Sequence, residues 1–158
     1  MQSKLIPNIK NAKYGDIFLF KPTRRMSRIQ SFIDNLNQKP KRYCSHVGMY
    51  WGNGQIIEAQ SGRGVILTLV KPEMENYIIV RMKDTSQLVP KEIAQGFLWL
   101  QYDSHKIVRI LLNRLFKVPV KLKSERKYIC SALVNKFYKN TLTKKENCTP
   151  VTLANEIL

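Results

Sequence analysis

The sequence has no long apolar run and few cysteines, and each of these absences excludes a class of protein. No window approaches the roughly 18 apolar residues of a membrane span, so we expect a soluble protein. The segment Met1–Lys10 has no apolar run of signal-peptide length, which predicts cytoplasmic synthesis without a cleavable export signal. Three cysteines is an odd count, which argues against a disulfide framework and favours free thiols in a reduced compartment.

Acidic residues are also scarce, with 11 Asp and Glu against 27 Lys and Arg and a net charge of +16. Such a charge favours an anionic partner, such as phospholipid headgroups or an acidic cell-wall polymer. The basic clusters Lys21–Arg28, Lys39–Arg42 and Lys121–Lys127 have no interleaved aromatic residues and match no known nucleic-acid signature, so nucleic acid is a poor candidate. We expect a monomer that acts on an anionic or acylated substrate and can contact a membrane surface. The small size and lysine-rich composition also fit a phage or virion protein.

The length and the apolar fraction of 44% predict one globular domain over residues 1–158. Apolar periodicity and turn residues predict five strands, at Ile17–Phe20, Tyr43–Trp51, Gln55–Gln60, Gly64–Val70 and Tyr77–Met82. They also predict five helices, at Arg24–Asn37, Val89–Tyr102, Lys106–Phe116, Tyr128–Tyr138 and Pro150–Leu158. The fold class is therefore α+β.

A histidine and a glutamate lie on the two strands of one predicted hairpin. His46 is on the first strand and Glu58 is on the second, with the turn around Gly52–Gly54. A loop of odd length would place His46 directly opposite Glu58, with Cβ atoms about 5 Å apart. A two-residue turn at Asn53–Gly54 would put the carboxylate on the opposite face of the hairpin. We predict the odd loop, with Gln60 or Asp16 as an alternative partner for the histidine.

Cys130 lies where a helix is predicted to begin. The unpaired N–H groups and the dipole of a helix N-terminus lower the pKa of a cysteine, and the nearby Arg126 and Lys127 would add to this effect. A thiolate nucleophile with a histidine base and an orienting carboxylate is a cysteine-hydrolase constellation. The simpler alternatives are a buried structural cysteine, a core histidine at 46 and a solvent-facing Glu58. His105 is the competing base, but it lies in a polar turn.

A zinc site is a weaker interpretation of the same residue types. Structural zinc sites usually contain closely paired ligands such as Cys-x-x-Cys, and this chain has no such pair. We therefore expect no metal and no cofactor. The candidate ligands for such a site would be Cys44, His46, Cys130 and Cys148.

Several short motifs, each weak alone, occur in an order that runs through nearly the whole chain. They are Gly15-Asp16-Ile17, Ser45–Tyr50, Ile57–Ala59, Tyr102-Asp103, Tyr128–Val134, and Thr149-Pro150 with Leu153-Ala154. In this order the chain resembles the circularly permuted branch of the NlpC-type papain-like superfamily, and it is most similar to the YiiX-like permuted amidases. Lecithin retinol acyltransferase-like enzymes resemble the same permuted plan.

The resemblance implies an antiparallel sheet packed against helices, with the cysteine on a helix and the histidine on a strand. It implies that Cys130 is the nucleophile, that His46 is the base and that Glu58 orients the imidazole. Family substrates contain peptide, amide or lipid acyl bonds, including peptidoglycan peptides. Tyr14 or Tyr43 could add a hydrogen bond to the substrate.

These observations predict a cysteine hydrolase of the amidase or peptidase type that acts through a thiol acyl-enzyme. Two alternatives stay open. The first is a lipid acyltransferase or phospholipase with the same permuted fold, which the positive charge would suit. The second is a non-catalytic basic binding module, which would show salt-sensitive binding and no thiol reactivity.

Overall fold

The structure is a computed structural model, and it describes residues 2–21, 44–71, 76–104, 127–144 and 148–158. The helices predicted at Arg24–Asn37 and Lys106–Phe116 lie outside these residues, as do Tyr43, His105 and Arg126. No helix in the described segments is long and apolar enough to cross a membrane.

Within the described residues, one sheet contains six strands, which are β1 (Ser3–Ile6), β2 (Ile17–Phe20), β3 (His46–Gly52), β4 (Gln55–Gln60), β5 (Gly64–Leu69) and β6 (Tyr77–Met82). The sheet is antiparallel, with the strand order β1-β6-β2-β3-β4-β5. Strands β2 to β6 lie where the alternating apolar pattern predicts them. Strand β1 was not predicted, because its middle residues Lys4 and Leu5 are both exposed and give no apolar alternation.

The described helices are short. They are α1 (Lys91–Gln95), α2 (Cys130–Phe137) and α3 (Pro150–Ile157), preceded by a 3-10 turn at Ile9–Asn11. The helix α3 begins as predicted, with Pro150 in its first turn and a cap from Thr149, whose hydroxyl accepts the Thr152 N–H at 3.2 Å. With the sheet, these helices make the described part of the chain α+β, as expected.

The prediction of one helix over Val89–Tyr102 was wrong. Only α1 is helical; the chain then turns, and Gln101–Tyr102 forms a two-residue strand, β7, parallel to β8 (Lys127–Tyr128). Tertiary hydrogen bonds override the helical pattern, because the Trp99 N–H donates to the Val65 carbonyl and the Val65 N–H donates to the Leu100 carbonyl, both at 2.8 Å. These bonds hold the segment against β5.

The two faces of the sheet have different coverings. On one face, which we call the helix-covered face, inward side chains of β3 and β4 such as Met49 and Ile57 belong to the same buried cluster as Leu133 and Phe137 of α2. The other face, here the aromatic face, carries a second buried cluster that includes Phe18, Tyr50, Ile56 and Ile79. Phe18 and Tyr50 stack there with ring centroids 5.9 Å apart.

The hairpin β3–β4 has a different register from the one predicted. Met49 pairs with Ile57, Gly52 pairs with Gln55, and an irregularity at Trp51 separates the two pairings. The connection is thus the two-residue turn at Asn53–Gly54, but the extra residue at Trp51 restores the parity that an odd loop would give. Extending the register places Glu58 diagonally across from His46, on the same face, rather than directly opposite.

An ion pair between the buried Asp16 and the partly exposed Arg81 fastens the turn before β2 to β6. The Asp16 carboxylate is only 2% exposed and accepts two hydrogen bonds from the Arg81 guanidinium, both at 2.7 Å. It also accepts the Lys13 N–H at 2.8 Å. Asp16 therefore has a structural position in this fold and does not serve as a partner for the histidine.

Replacing Asp16 by alanine should lower the free energy of unfolding by about 3 kcal/mol, because it leaves Arg81 and the Lys13 amide without their acceptor. Urea denaturation followed by circular dichroism measures this change. Asp84→Ala is the matched control, since Asp84 is exposed and should leave the stability nearly unchanged. Equal effects of the two substitutions would contradict the role assigned to the ion pair.

Candidate active site

The sheet brings His46 and Glu58 into contact. His46 Nε2 is hydrogen bonded to Glu58 Oε2, and the glutamate is only 3% exposed. Strands β3 and β4 carry both residues on the aromatic face, where the His46 ring also contacts Phe20 with centroids 5.8 Å apart. A carboxylate at such a buried position requires a partner, and the imidazole provides it.

Cys130 meets the other side of the same imidazole. Its sulfur lies close enough to the His46 side chain, and to the backbone of Val47 and Ser131, for these groups to lower the pKa of the thiol. Because Nε2 is taken by Glu58, the ring nitrogen left for the thiol is Nδ1. The structure thus brings together the three residues that were predicted from the sequence as nucleophile, base and orienting carboxylate.

The Cys130 thiol approaches His46 beyond the paired part of the β3–β4 hairpin. Helix α2 packs on the helix-covered face, whereas alternation along β3 turns His46 to the aromatic face. Cross-strand pairing in the described hairpin runs only from Met49–Ile57 to the turn, so the N–H of Val47 is available to the sulfur. The N-terminus of α2 therefore presents Cys130 where β3 and β4 are not paired.

The environment favours a thiolate beside an imidazolium. Burial opposes ionisation of Cys130, but His46 and the two backbone donors outweigh it and lower the pKa of the thiol. Burial likewise disfavours a charged His46, but Cys130 and Glu58 together raise the pKa of the imidazole above its ordinary value. Opposite shifts in the two pKa values widen the pH range in which both groups are charged.

The N-terminus of α2 is held firmly but has no side-chain cap. The residue before it, Ile129, makes no capping hydrogen bond, so the first N–H groups of the helix have no partner within the helix. The Ser131 hydroxyl donates to the Cys148 carbonyl at 2.5 Å, and the Asp103 N–H donates to the Tyr128 carbonyl at 3.1 Å. These bonds fix a set of amide donors around the sulfur that suits a developing oxyanion.

Further residues hold the carboxylate in place. Gln60 Nε2 donates to Glu58 Oε1 at 2.7 Å, and Gln60 Oε1 accepts from the Arg63 guanidinium at 3.3 Å. Thr68 on β5 lies close enough to lower the pKa of Glu58, although its buried hydroxyl makes no hydrogen bond of normal geometry. Gln60 thus contacts Glu58 and does not replace it as the partner of the histidine. Its position two residues beyond Glu58 on the same strand is the sequence signal for this role.

These contacts keep Glu58 ionised in spite of its burial. Desolvation would raise its pKa, but the hydrogen bond and charge of His46, followed by Thr68 and Gln60, lower it below the ordinary value for a glutamate. The carboxylate therefore stays charged down to a lower pH than a free glutamate. Its charge is available to the imidazolium throughout the neutral range.

Replacing Glu58 by glutamine should lower kcat/KM for a reaction at the Cys130 thiol by about 10- to 150-fold, which corresponds to the loss of a hydrogen bond to a charged group. The pKa of His46 should fall with the lost negative charge, so the basic limb of the pH–rate profile should move to lower pH. Gln60→Ala should cost less, about 2- to 12-fold, because a neutral hydrogen bond is lost. Glu92→Gln, at an exposed position, is the matched control. A larger loss for Gln60→Ala than for Glu58→Gln would contradict the assignment of Glu58.

Of the two tyrosines suggested for substrate binding, Tyr14 lies in the described residues and is remote from this cluster. Tyr14 donates its hydroxyl to the Val89 carbonyl at 3.0 Å and packs edge-on against Trp51, which is five residues along β3 from His46. At about 3.3 Å per residue, this is roughly 16 Å from the site. Burial, with a smaller effect of Glu92, raises the pKa of Tyr14 to about 12. Tyr43 lies outside the described residues.

Tyr102 is a residue near the thiol that was not nominated from the sequence. It pairs with Tyr128 across β7 and β8, two residues before Cys130. Burial, the charge of Cys130 and the charge of Asp103 all raise the pKa of the Tyr102 phenol. The phenol therefore remains protonated and can donate a hydrogen bond near the sulfur. The Tyr-Asp motif was the only sequence signal for it.

The cysteine and histidine set considered for zinc does not assemble. Cys44 donates its thiol to the His46 carbonyl at 3.2 Å, and the thiol of Cys148 is buried away from the surface. Among the described residues, no group of three or more His, Cys, Asp and Glu side chains is placed to hold a metal ion.

Comparisons with protein-family models and with curated proteins find no match to this chain. Any function assigned to the site must therefore come from its geometry and its chemistry.

Proposed function

We propose that the protein is a cysteine hydrolase of the amidase or peptidase type with a permuted papain-like fold. The observation that carries this proposal is a single imidazole, His46, in contact with Glu58 on one side and with Cys130 at a helix N-terminus on the other. This is the arrangement that activates a thiol nucleophile. A structural cysteine does not require a histidine, a buried carboxylate and several amide donors around it.

In the acylation step, the Cys130 thiolate attacks the carbonyl carbon of the substrate. A C–S bond forms and the electron pair of the C=O bond moves onto oxygen, where the amide donors at the start of α2 stabilise the charge. The intermediate collapses, the bond to the leaving group breaks, and the His46 imidazolium gives its proton to that group. The product is a thioester on Cys130 beside a neutral imidazole.

In the deacylation step, water resolves the thioester. His46 takes a proton from the water as its oxygen attacks the thioester carbon, and a C–O bond forms. The C–S bond then breaks and the thiolate returns to its place beside the imidazolium. Glu58 holds the ring in one orientation through both steps and stabilises the charge that appears on it.

The chain order supports the permuted plan. Strands carrying His46 and Glu58 precede the helix that begins with Cys130, whereas the commonest papain-type order has the cysteine first. The six-stranded antiparallel sheet with α2 on one face is compatible with this plan. The fold assignment therefore belongs to the same proposal as the activity.

The substrate class follows from access and charge. The His46 side chain is 16% exposed while Cys130 is only 4% exposed, so a carbonyl reaches the thiol from the imidazole side. The net charge of +16 favours an acyl group on an anionic molecule. Peptidoglycan peptides, protein amides and lipid acyl groups are the candidates to screen.

The test is covalent capture with an electrophilic acyl probe, followed by peptide mapping of the adduct. We expect one adduct per chain, on Cys130, and the same labelling in Cys148→Ala protein. A screen of peptidoglycan fragments, peptide amides and lipids would then identify the substrate that competes with the probe. A folded protein that forms no adduct, or that is labelled equally at Cys44, Cys130 and Cys148, would contradict the proposal.

A further inference from the structure

One large apolar side chain in the described residues is almost fully in water. Trp99 is 81% exposed, more than Leu5, Leu69, Ile93 or Leu158, which are the other exposed large apolar residues of the described segments. Single exposed leucines need no explanation, because much of any protein surface is apolar. An exposed tryptophan is less ordinary, because its indole is the largest apolar group a side chain offers and is usually buried at least in part.

The backbone at Trp99 is held in an unfavourable conformation. Its φ angle is 69°, a region that bulky residues rarely adopt. Hydrogen bonds at 2.8 Å from the Trp99 N–H to the Val65 carbonyl and from the Val65 N–H to the Leu100 carbonyl clamp the segment to β5. Gly64 permits the close approach, since a Cβ there would lie 2.4 Å from the Leu100 carbonyl oxygen. Strain of this kind persists only where surrounding contacts impose it, and it is concentrated at functional positions.

The sheet register places this tryptophan near the end of the sheet that carries the candidate site. Gly64 pairs with Gln60 and Val65 pairs with Ala59, the residue after Glu58. Trp99 hydrogen bonds to Val65, and the exposed Arg63 precedes Gly64 in the same turn. The indole and the guanidinium therefore flank the region from which the carboxylate network is built.

The described surface as a whole is strongly basic. The described residues expose eleven lysines and arginines against three acids, Asp84, Glu92 and Glu156, because Asp16, Glu58 and Asp103 are buried. Tryptophan partitions to the interface of a bilayer, where its ring is apolar and its N–H remains hydrated. Basic side chains near an anionic leaflet each add to the attraction.

We propose that Trp99 is an interfacial anchor that inserts into the headgroup region of an anionic phospholipid bilayer, with Arg63 beside it. Charge complementarity selects this partner. A single-stranded nucleic acid would require several stacking platforms, and Trp99 is the one exposed aromatic side chain among the described residues. The anchor does not depend on the proposed hydrolase activity, so Cys130→Ala protein should bind membranes as the unmodified protein does.

The test is binding to vesicles that contain phosphatidylglycerol, with vesicles of phosphatidylcholine alone as the comparison. In Trp51→Phe protein, Trp99 becomes the only tryptophan, and its fluorescence should shift to shorter wavelength with the anionic vesicles. Co-sedimentation of otherwise unmodified protein should show partitioning about tenfold weaker for Trp99→Ala, as expected if the indole leaves water. Binding should also weaken as salt rises, because the attraction is screened.

Leu69→Ala is the matched control, because Leu69 is 58% exposed at the opposite end of β5 and should leave partitioning unchanged. Circular dichroism establishes that each variant is folded. The proposal is overturned if Trp99→Ala partitions like the unmodified protein, if Leu69→Ala weakens binding equally, or if an oligonucleotide and not the vesicle shifts the Trp99 fluorescence.

Discussion

Replacing Cys130 by alanine should lower the rate of substrate hydrolysis by on the order of 10⁴-fold or more, because Cys130 is the thiol that His46 activates to form the acyl intermediate. The substitution should also abolish capture by the acyl probe. Stability should change little compared with this loss, since the side chain loses one sulfur atom at a helix N-terminus. Steady-state kinetics with the substrate found in the screen, together with intact-mass analysis, measures both effects.

The other two cysteines provide matched controls for this prediction. Cys44 and Cys148 are buried like Cys130, and the Cys44 thiol donates to the backbone carbonyl of His46. Cys44→Ala and Cys148→Ala should keep at least about a third of the activity, within the usual small effect of a conservative core substitution. An inactive Cys148→Ala protein that is still folded, or an active Cys130→Ala protein, would show that Cys130 is not the nucleophile.

Replacing His46 by alanine should have the second-largest effect, and it should appear even in the absence of substrate. His46 is the main group that keeps Cys130 ionised against its burial. An ordinary thiol with a pKa of about 8.5 is only a few per cent ionised at neutral pH, so alkylation of Cys130 by iodoacetamide should slow by at least about tenfold. Hydrolysis should fall by on the order of 10⁴-fold, because the proton donor is lost as well.

The alkylation rate of Cys130 should depend on pH differently with and without His46. In the unmodified protein the lowered pKa of Cys130 should make alkylation nearly independent of pH through the neutral range. In His46→Ala protein the rate should rise with pH as an unassisted thiol titrates. His105→Ala is the matched histidine control and should alkylate at the unmodified rate. The same steep pH dependence with and without His46 would show that the imidazole does not activate the thiol.

Much of the candidate site could be predicted from the sequence because it depends on local rules. Because side chains alternate along a strand, His46 and Glu58 can meet only if the turn places both on the same face of the hairpin. The extra residue at Trp51 has this effect. The apolar pattern predicted a helix from Tyr128, and α2 begins two residues later at Cys130, because Lys127–Tyr128 forms the strand β8. The prediction that the two residues pair directly was wrong, since the irregularity at Trp51, which makes them diagonal neighbours, has no signature in residue type.

The features that could not be predicted from the sequence depend on contacts between distant segments. The apolar pattern of Val89–Tyr102 is helical, but the helix ends at Gln95 because the following residues hydrogen bond to Val65. No residue type in the segment indicates these hydrogen bonds. For the same reason Tyr102 was not recognised as a neighbour of Cys130, since its position depends on the pairing of β7 with β8. The position of Tyr14 could not be predicted either, because its turn packs against the other end of β3.

The central claim is that Cys130 and His46 form a thiolate–imidazolium pair, and titration of the thiolate tests it most directly. Ultraviolet absorbance of the thiolate is measured against pH for the unmodified protein and for Cys130→Ala, and the difference reports Cys130 alone. We predict an inflection well below the ordinary thiol pKa of about 8.5, and its return to or above that value in His46→Ala protein. An inflection at or above the ordinary value in the unmodified protein would contradict the account.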